Sequence, residues 1–139
     1  MNIDSIQRGI VIDHIKSGNS MRIYRYLHLD ELNCSVAIIK NVKSGKMDRK
    51  DIIKIDDNID INLDILGFID PDITVNIIED GKIVEKKKLS LPERVEGILT
   101  CKNPRCITAS ESSLKQIFFL ADEGDRKVYR CLYCDSERK

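Results

Sequence analysis

Alternating apolar and polar positions divide the first ninety residues into short strands and helices. The segments GIVIDHI and RKDIIKI are rich in β-branched residues, a composition typical of strands. Between them, NSMRIYRYLHLDEL places Ile23, Tyr24 and Leu27 on one helical face, behind two residues, Asn19 and Ser20, that can cap a helix. A second short helix, INLDILGFI, is expected to end before Pro71.

The remaining segments of this region form two predicted hairpins. SVAIIKNV and RKDIIKID are joined by KSGK, where Gly45 is expected to take the positive φ that a tight turn requires. ITVNIIE and KIVEKKKL are joined at Asp80-Gly81. The order β-α-β-β-α-β-β predicts an α+β fold: an antiparallel sheet with two helices on one face, a ferredoxin-like sandwich.

A second, smaller unit is predicted from the change of character at Pro92. We place the domain boundary between residues 1–90 and 91–139. The later segment has few large apolar side chains, and so small a unit rarely folds on its own core. SLKQIFFLADEGDRKVYRC predicts a strand, a turn at 123–125 and a return strand. The second unit is therefore expected to be a small β-rich domain held together by something besides apolar packing.

Four of the five cysteines lie in this unit as two close pairs, C-x4-C and C-x2-C. Thiols stay reduced in the cytosol, so such pairs there more often hold a metal than form disulfides. Four thiolates suit tetrahedral Zn²⁺ and leave no open coordination position, which predicts a structural zinc site. A redox pair and unrelated core cysteines remain the alternatives. Cys34 stands alone among apolar neighbours and is interpreted as a small buried hydrophobe.

Composition excludes some classes of function. No apolar run is long enough to span a membrane and no signal peptide is evident, so we expect a cytoplasmic protein without membrane contact. The chain has 23 basic and 23 acidic residues, with no clustered basic surface in either unit. Nucleic-acid binding is therefore not expected. A zinc-ribbon nucleic-acid accessory protein remains the main competitor from another class.

Polar residues on the predicted sheet offer a place for a small ligand. Period-two alternation puts Lys50, Ile52 and Lys54 on one strand face, which could seat an anionic ligand with a flat ring or could be solvated surface. Asp13 and His14 could act together as a general base, but no nucleophile or metal site accompanies them. A hydrogen-bonded structural pair is the alternative that we favour there.

Taken together, these segments resemble one known family. RGIVIDHI, RKDIIKI, TVNII, SLPERVEGILTC and the two cysteine pairs occur in this order in the regulatory chain of aspartate carbamoyltransferase. The resemblance covers nearly the whole chain, from about residue 3 to residue 134.

The resemblance implies a subunit that is not an enzyme. In that family, residues 1–90 would form an allosteric domain that binds CTP as inhibitor and ATP as activator at one shared site. This domain would pair with a second regulatory chain. Residues 91–139 would form a zinc domain that docks on the catalytic chain of the enzyme, which serves pyrimidine biosynthesis.

Individual residues can be carried over from the same resemblance. It implies a nucleotide site at Asp13, His14, Lys50, Lys54, Asn76 and Lys86, with backbone groups near Ile6 and Ile78 reading the base. It implies one structural Zn²⁺ per chain, bound by Cys101, Cys106, Cys131 and Cys134. Two positions differ from the enterobacterial chains, which have lysine where this chain has Gln7 and tyrosine where it has Gly81.

Overall fold

A five-stranded antiparallel sheet forms the centre of the first of two units, Met1–Ser90 and Leu91–Lys139. The structure is a computed structural model that describes residues 6–45 and 48–138. The strands of the first unit are β1 (Gly9–Lys16), β2 (Val36–Lys43), β3 (Arg49–Ile55), β4 (Thr74–Glu79) and β5 (Lys82–Lys88). Their order across the sheet is β2-β3-β1-β4-β5, with every neighbouring pair antiparallel.

Two helices pack on one face of this sheet, α1 (Ser20–Tyr26) and α2 (Leu63–Ile69). Ile23 of α1 and Leu66 of α2 join one buried cluster with strand residues such as Ile12, Ile53 and Val75. The predicted ferredoxin-like α+β sandwich is confirmed: β1 to β4 have its strand order, and β5 is added beside β4.

The start of α2 has a side-chain cap, whereas the start and the end of α1 differ from the sequence prediction. The side chain of Asn62 caps α2 by accepting hydrogen bonds from the amides of Asp64 at 3.1 Å and Ile65 at 3.2 Å. The Asn19 side chain makes no such bond to α1, although the sequence favoured it as a cap. The first helix is also shorter than predicted, since it ends at Tyr26 and is followed by a separate 3-10 turn, Leu29–Glu31.

One of the two hairpin turns has the predicted geometry. Asp80 and Gly81 have φ angles of 51° and 74°, the pair of positive values that a two-residue hairpin turn requires. Gly45 has no positive φ, so that expectation is wrong. Residues 46 and 47, in the same predicted turn, lie outside the described residues.

The second unit is built on a four-stranded antiparallel sheet in the order β6-β7-β8-β9. Its elements are β6 (Arg94–Glu96), α3 (Ile107–Ser110), β7 (Ile117–Asp122), β8 (Lys127–Cys131) and β9 (Glu137–Arg138). The predicted hairpin of β7 and β8 is confirmed, with Gly124 at φ 85° in its turn. Phe118 is almost fully buried in this unit, and the buried Tyr129 donates its hydroxyl to the carbonyl of Pro92 at 2.7 Å. Across the described residues of both units, the helices are too short or too polar to cross a membrane.

Candidate functional site

The four paired cysteines of the second unit meet at one point. Their Sγ atoms all lie within 4.8 Å of one another. Cys101 Sγ is 3.6 Å from Cys134 Sγ, and Cys106 Sγ is 3.8 Å from Cys131 Sγ. A tetrahedron with Zn–S bonds of about 2.3 Å has sulfur-to-sulfur edges of about 3.8 Å, so these thiols fit a zinc ion.

The first cysteine pair is held by a turn at Asn103-Pro104-Arg105. The Cys106 amide donates to the carbonyl of Asn103 at 3.1 Å, and the Arg105 amide donates to the Asn103 side chain at 3.0 Å. The Cys101 amide donates to the Gln116 side chain at 3.0 Å. These bonds orient two of the four sulfurs without help from the metal.

The second pair sits at the end of β8. Cys131 is the last residue of that strand, and its carbonyl accepts a bond from the Asp135 amide at 2.9 Å. Asp135 has a φ of 63°, in the left-handed region, which returns the chain toward β9. The turn from 131 to 135, which we name the second knuckle, therefore carries Cys134 back toward Cys131.

Two hydroxyl groups contact the sulfurs. The sequence interpretation missed both hydroxyl groups. Thr108 Oγ1 is 3.1 Å from Cys106 Sγ, and Ser136 Oγ is 3.3 Å from Cys134 Sγ. Each hydroxyl follows its cysteine by two residues, in CIT and CDS. This repeated spacing was the available signal, and the hydroxyls can stabilise thiolate charge at the metal.

The thiols differ in acidity. Burial raises the pKa of Cys101 to about 12, and burial also raises the pKa of Cys131. Hydrogen bonding from Ser136 lowers the pKa of Cys134 to about 6. Zinc binds thiolates, so its binding must release protons from the buried thiols.

A second group of functional candidates lies on the first unit, on the sheet face opposite α1 and α2, which we name the open face. Strand register places Lys54 of β3, Val11 of β1, Asn76 of β4 and Lys86 of β5 in one row. Residues in register on neighbouring strands point to the same face, so this row crosses four strands. Residues far apart in the sequence are thus neighbours here.

Asp13 and Lys50 lie on the same face and are paired. Lys50 Nζ is 3.0 Å from Asp13 Oδ1, with side-chain exposures of only 16% and 21%. Burial by itself would raise the pKa of Asp13, but hydrogen bonds from Lys50 and from the His14 backbone hold it below its ordinary value. Asp13 is therefore a carboxylate at neutral pH.

His14 occupies an irregular position in β1. The pairing of β1 with β3 shifts register between Ile12 and Ile15, and His14 has a φ of 58°. Its amide donates to Asp13 at 2.6 Å, whereas its ring Nδ1 lies 3.2 Å from Thr74 Oγ1. The Asp13 and His14 side chains therefore do not form the general-base pair that the sequence allowed. His14 and Thr74 instead line a cavity of about 460 Å³.

Asn76 carries an unsatisfied acceptor. The residue is only 6% exposed, and its Oδ1 has no hydrogen-bond partner within the described part of the chain. Buried polar atoms are usually hydrogen-bonded, so this acceptor, in register with Lys86 on the adjacent strand, is an exception.

Comparisons with known proteins agree with the resemblance. Residues 1–90 match the family model described as aspartate carbamoyltransferase regulatory chain, allosteric domain, and residues 93–139 match the metal binding domain of the same chain. This chain belongs to the aspartate carbamoyltransferase regulatory chains. It is 53% identical to the regulatory chain of Clostridium tetani over 97% of this chain and 94% of that one. It is 47% identical to that of Bifidobacterium longum over 100% and 99%.

The family determines what kind of subunit this is. The relatives are named regulatory chains, and the model for the first unit describes an allosteric domain. This regulatory chain is therefore a non-catalytic subunit. The match to a metal binding domain and the geometry of the four thiols agree on one structural zinc.

Asp51 is a buried carboxylate of the regulatory chain that sequence reasoning missed. It is 0% exposed and accepts hydrogen bonds from the amides of Gly18 at 3.1 Å, Ser20 at 3.4 Å and Asn41 at 2.9 Å. Burial would raise its pKa, but hydrogen bonds led by Ser20 lower it below the ordinary value. Its role is structural, since it lies on the helix-covered face.

Gln7 and Gly81, the two positions at which the resemblance implies a difference, touch each other. The Gly81 amide donates to the carbonyl of Gln7 at 2.9 Å. A Cβ added at Gly81 would lie 3.3 Å from Gln7 Oε1. Substitutions at either position would therefore affect the same contact, at the turn between β4 and β5.

Proposed function

We propose that this regulatory chain binds CTP and ATP at one site on the open face of residues 1–90. We further propose that it transmits their effect to the catalytic chain of aspartate carbamoyltransferase through the zinc domain, residues 91–139. The observation that carries the proposal is the row of Lys54, Asn76 and Lys86 next to the Asp13–Lys50 pair.

The chemistry of this face suits a nucleoside triphosphate. A triphosphate carries several negative charges, and lysines on two strands, β3 and β5, can contact different phosphates. Lys50 and Lys54 are about 13 Å apart along their strand, at about 3.3 Å per residue, so they contact different parts of one ligand. Asp13 can accept from ribose hydroxyls, and Asn76 Oδ1 can accept from a hydroxyl or amino group of the nucleotide.

The cavity beside this face supports a role for His14. His14, Thr74 and Lys88 all line it, and Lys88 is in register with Thr74 on the adjacent strand. A polar cavity with a cationic side chain can hold part of a phosphate chain. His14 would therefore bind ligand through its ring while its backbone amide holds Asp13 in place.

Docking is proposed for the surface that surrounds the zinc ligands. Ile107, Leu132 and Tyr133 are 53%, 47% and 38% exposed, and each is adjacent to a zinc-binding cysteine in the sequence. Large apolar side chains gathered at one site on a small unit are typical of a protein interface. The catalytic chain is the proposed partner, and a second regulatory chain is the proposed partner of residues 1–90, in a cytoplasmic complex.

Regulation follows from a difference in affinity. An effector can bias two quaternary states of the complex only as far as it binds one state more tightly, typically by about 1 to 3 kcal/mol. CTP is proposed to favour the less active state and ATP the more active one. Aspartate saturation curves of the reconstituted complex should therefore separate when CTP is added, and superimposable curves would contradict regulation.

The nucleotide site is tested by calorimetric titration of the zinc-loaded chain with CTP and then ATP. We expect competition at one site and an affinity loss of about tenfold or more in Lys54→Ala and Lys86→Ala, because each removes a charge-assisted contact. Lys87→Ala is the matched control, since Lys87 is the next residue of β5 and points to the other face. Equal affinities in the Lys86 and Lys87 variants would refute the proposed site.

Docking is tested separately, by assembly with the catalytic chain. Leu132→Ser and Ile107→Ser should weaken assembly by at least tenfold, because buried anchors contribute most of the energy of an interface. Val84→Ser is the control, since Val84 is 57% exposed but lies in the first unit. Assembly unchanged by all three substitutions would place the interface elsewhere.

A further inference from the structure

A network of charged side chains lies against the second knuckle. Arg130 immediately precedes Cys131 on β8. Its guanidinium donates through one nitrogen to the carbonyl of Asp135 at 2.9 Å and through the other to the carboxylate of Glu123. A single planar side chain thus connects the residue after Cys134 to the hairpin that leads into Cys131.

The network continues away from the cysteines. Glu123 also accepts from Arg126 at 3.2 Å, and Arg126 makes a two-bond contact with Glu137 at 2.7 Å and 3.0 Å. Glu137 belongs to β9 and is in register with Arg130 on β8. The network therefore joins the β7–β8 hairpin, which precedes the knuckle and carries Glu123, Arg126 and Arg130, to Glu137 of β9, which follows it. Exposed ion pairs are usually weak, but two-bond arginine contacts within a network are the exception.

The Arg130 contact to Asp135 addresses a weak point of the fold. Asp135 is held in the left-handed region, which is unfavourable for a residue other than glycine. The hydrogen bond from the Asp135 amide to the Cys131 carbonyl closes the knuckle, and the hydrogen bond from Arg130 to the Asp135 carbonyl holds the peptide group on the other side of the same Cα. Opening the knuckle would break both hydrogen bonds.

We infer that Arg130 is a positioning residue for the zinc ion, which keeps the second knuckle in ligating geometry and slows loss of the metal. This inference goes beyond the proposed function and does not depend on nucleotide binding or docking. Lysine cannot replace it fully, because one ammonium cannot make two divergent, planar contacts as a guanidinium does.

The test is the rate at which the full-length, zinc-loaded chain releases zinc to a chelating dye. Arg130→Gln should release zinc about three- to tenfold faster at low salt, as expected for the loss of charge-assisted hydrogen bonds. Arg130→Lys should release zinc at a rate between that of the unmodified chain and that of Arg130→Gln. Arg94→Gln is the matched control, because Arg94 makes an exposed ion pair with Glu96 in the same unit, away from the knuckle. Equal release from the Arg130 and Arg94 variants overturns the inference.

Two further readouts separate positioning from general destabilisation. Raising salt from 0.1 M to 1 M shortens the screening length from about 10 Å to about 3 Å, so release should accelerate in the unmodified chain and hardly change in Arg130→Gln. Adding Glu123→Gln to Arg130→Gln should give little further acceleration, since both act through one network. Unaltered salt dependence in Arg130→Gln, or fully additive effects in the double variant, would also overturn the inference.

Discussion

The two units of this chain reach stability by different means. In the first, buried aliphatic side chains of three strands and both helices form one cluster between the sheet and its helices. In the second, the buried residues include two of the four zinc ligands, Cys106 and Cys131, alongside a few apolar side chains such as Phe118. We therefore expect apolar packing to be sufficient for the first unit and the second to depend on its metal.

In the first unit, the proposed ligand-binding residues are separate from the residues that stabilise the fold. In the second unit, the proposed docking residues lie beside the residues that bind the metal. The lysines of the open face project away from the core of the first unit, so their loss should affect ligands more than stability. In the second unit, Leu132 and Tyr133 lie between two zinc ligands. The residues that create the proposed docking surface are therefore placed by the same turn that holds the metal.

Removal of zinc should have the largest effect. Replacing Cys131 with serine, or extracting the metal with a mercurial, should unfold residues 91–139 and leave 1–90 folded, because structural zinc contributes on the order of 10 kcal/mol to folding of such units. Limited proteolysis should then cleave only after about residue 90.

Cys34→Ser serves as the control for thiol chemistry, since Cys34 lies in the first unit outside the zinc cluster. Protection of residues 91–139 after complete extraction would show that apolar packing is sufficient there too, and the contrast between the units would be lost.

Acid should affect the first unit through Asp51. The folded pKa lies below the ordinary value of 3.8, so this carboxylate contributes its full stability above that pH and loses it as the pH falls through the folded pKa. Asp51→Asn should cost about 2 kcal/mol at neutral pH, because its amide group faces backbone donors. The difference from the unmodified chain should shrink in acid.

Denaturant unfolding at several pH values measures this effect, with exposed Asp30→Asn as the control. A constant difference between Asp51→Asn and the unmodified chain from neutral pH to well below 3.8 would argue against an ionised Asp51.

The turn at Gly81 should show the smallest effect. Gly81→Ala should destabilise the first unit by about 1 kcal/mol, because alanine is strained at a φ of 74° and its Cβ would press on Gln7. Gly45→Ala is the matched control, since Gly45 has no positive φ and an added Cβ there meets nothing within 4 Å. Equal midpoints of thermal unfolding in the two variants would contradict this account.

Local chemistry explains what the sequence could predict. The turn at Asp80-Gly81, the end of α2 before Pro71 and the β7–β8 hairpin each depend on a few adjacent residues. The convergence of the four cysteines also follows from their spacing and from the four-coordinate geometry of one zinc ion. These features were accessible because neighbours in the sequence determine them.

Features that depend on distant partners were not predicted. The short strands β6 and β9 have too few residues to show alternation. The left-handed backbone of His14 reflects a register shift against β3, and the unsatisfied Asn76 reflects its neighbours on other strands. Asp51 could have been found, since period two places it on the same face as Ile53 and Ile55.

The central position of β1 has a consequence for the order in which the chain folds. The strand made first pairs with β3, where Ile10 faces Ile55, and with β4, where Gly9 faces Ile78. During synthesis, one edge of β1 stays unpaired until β3 has been made and the other until β4 has been made. Pairings between strands so distant in the sequence slow folding. The second unit, whose strands pair mostly with close neighbours in the sequence, can form soon after its last cysteine leaves the ribosome.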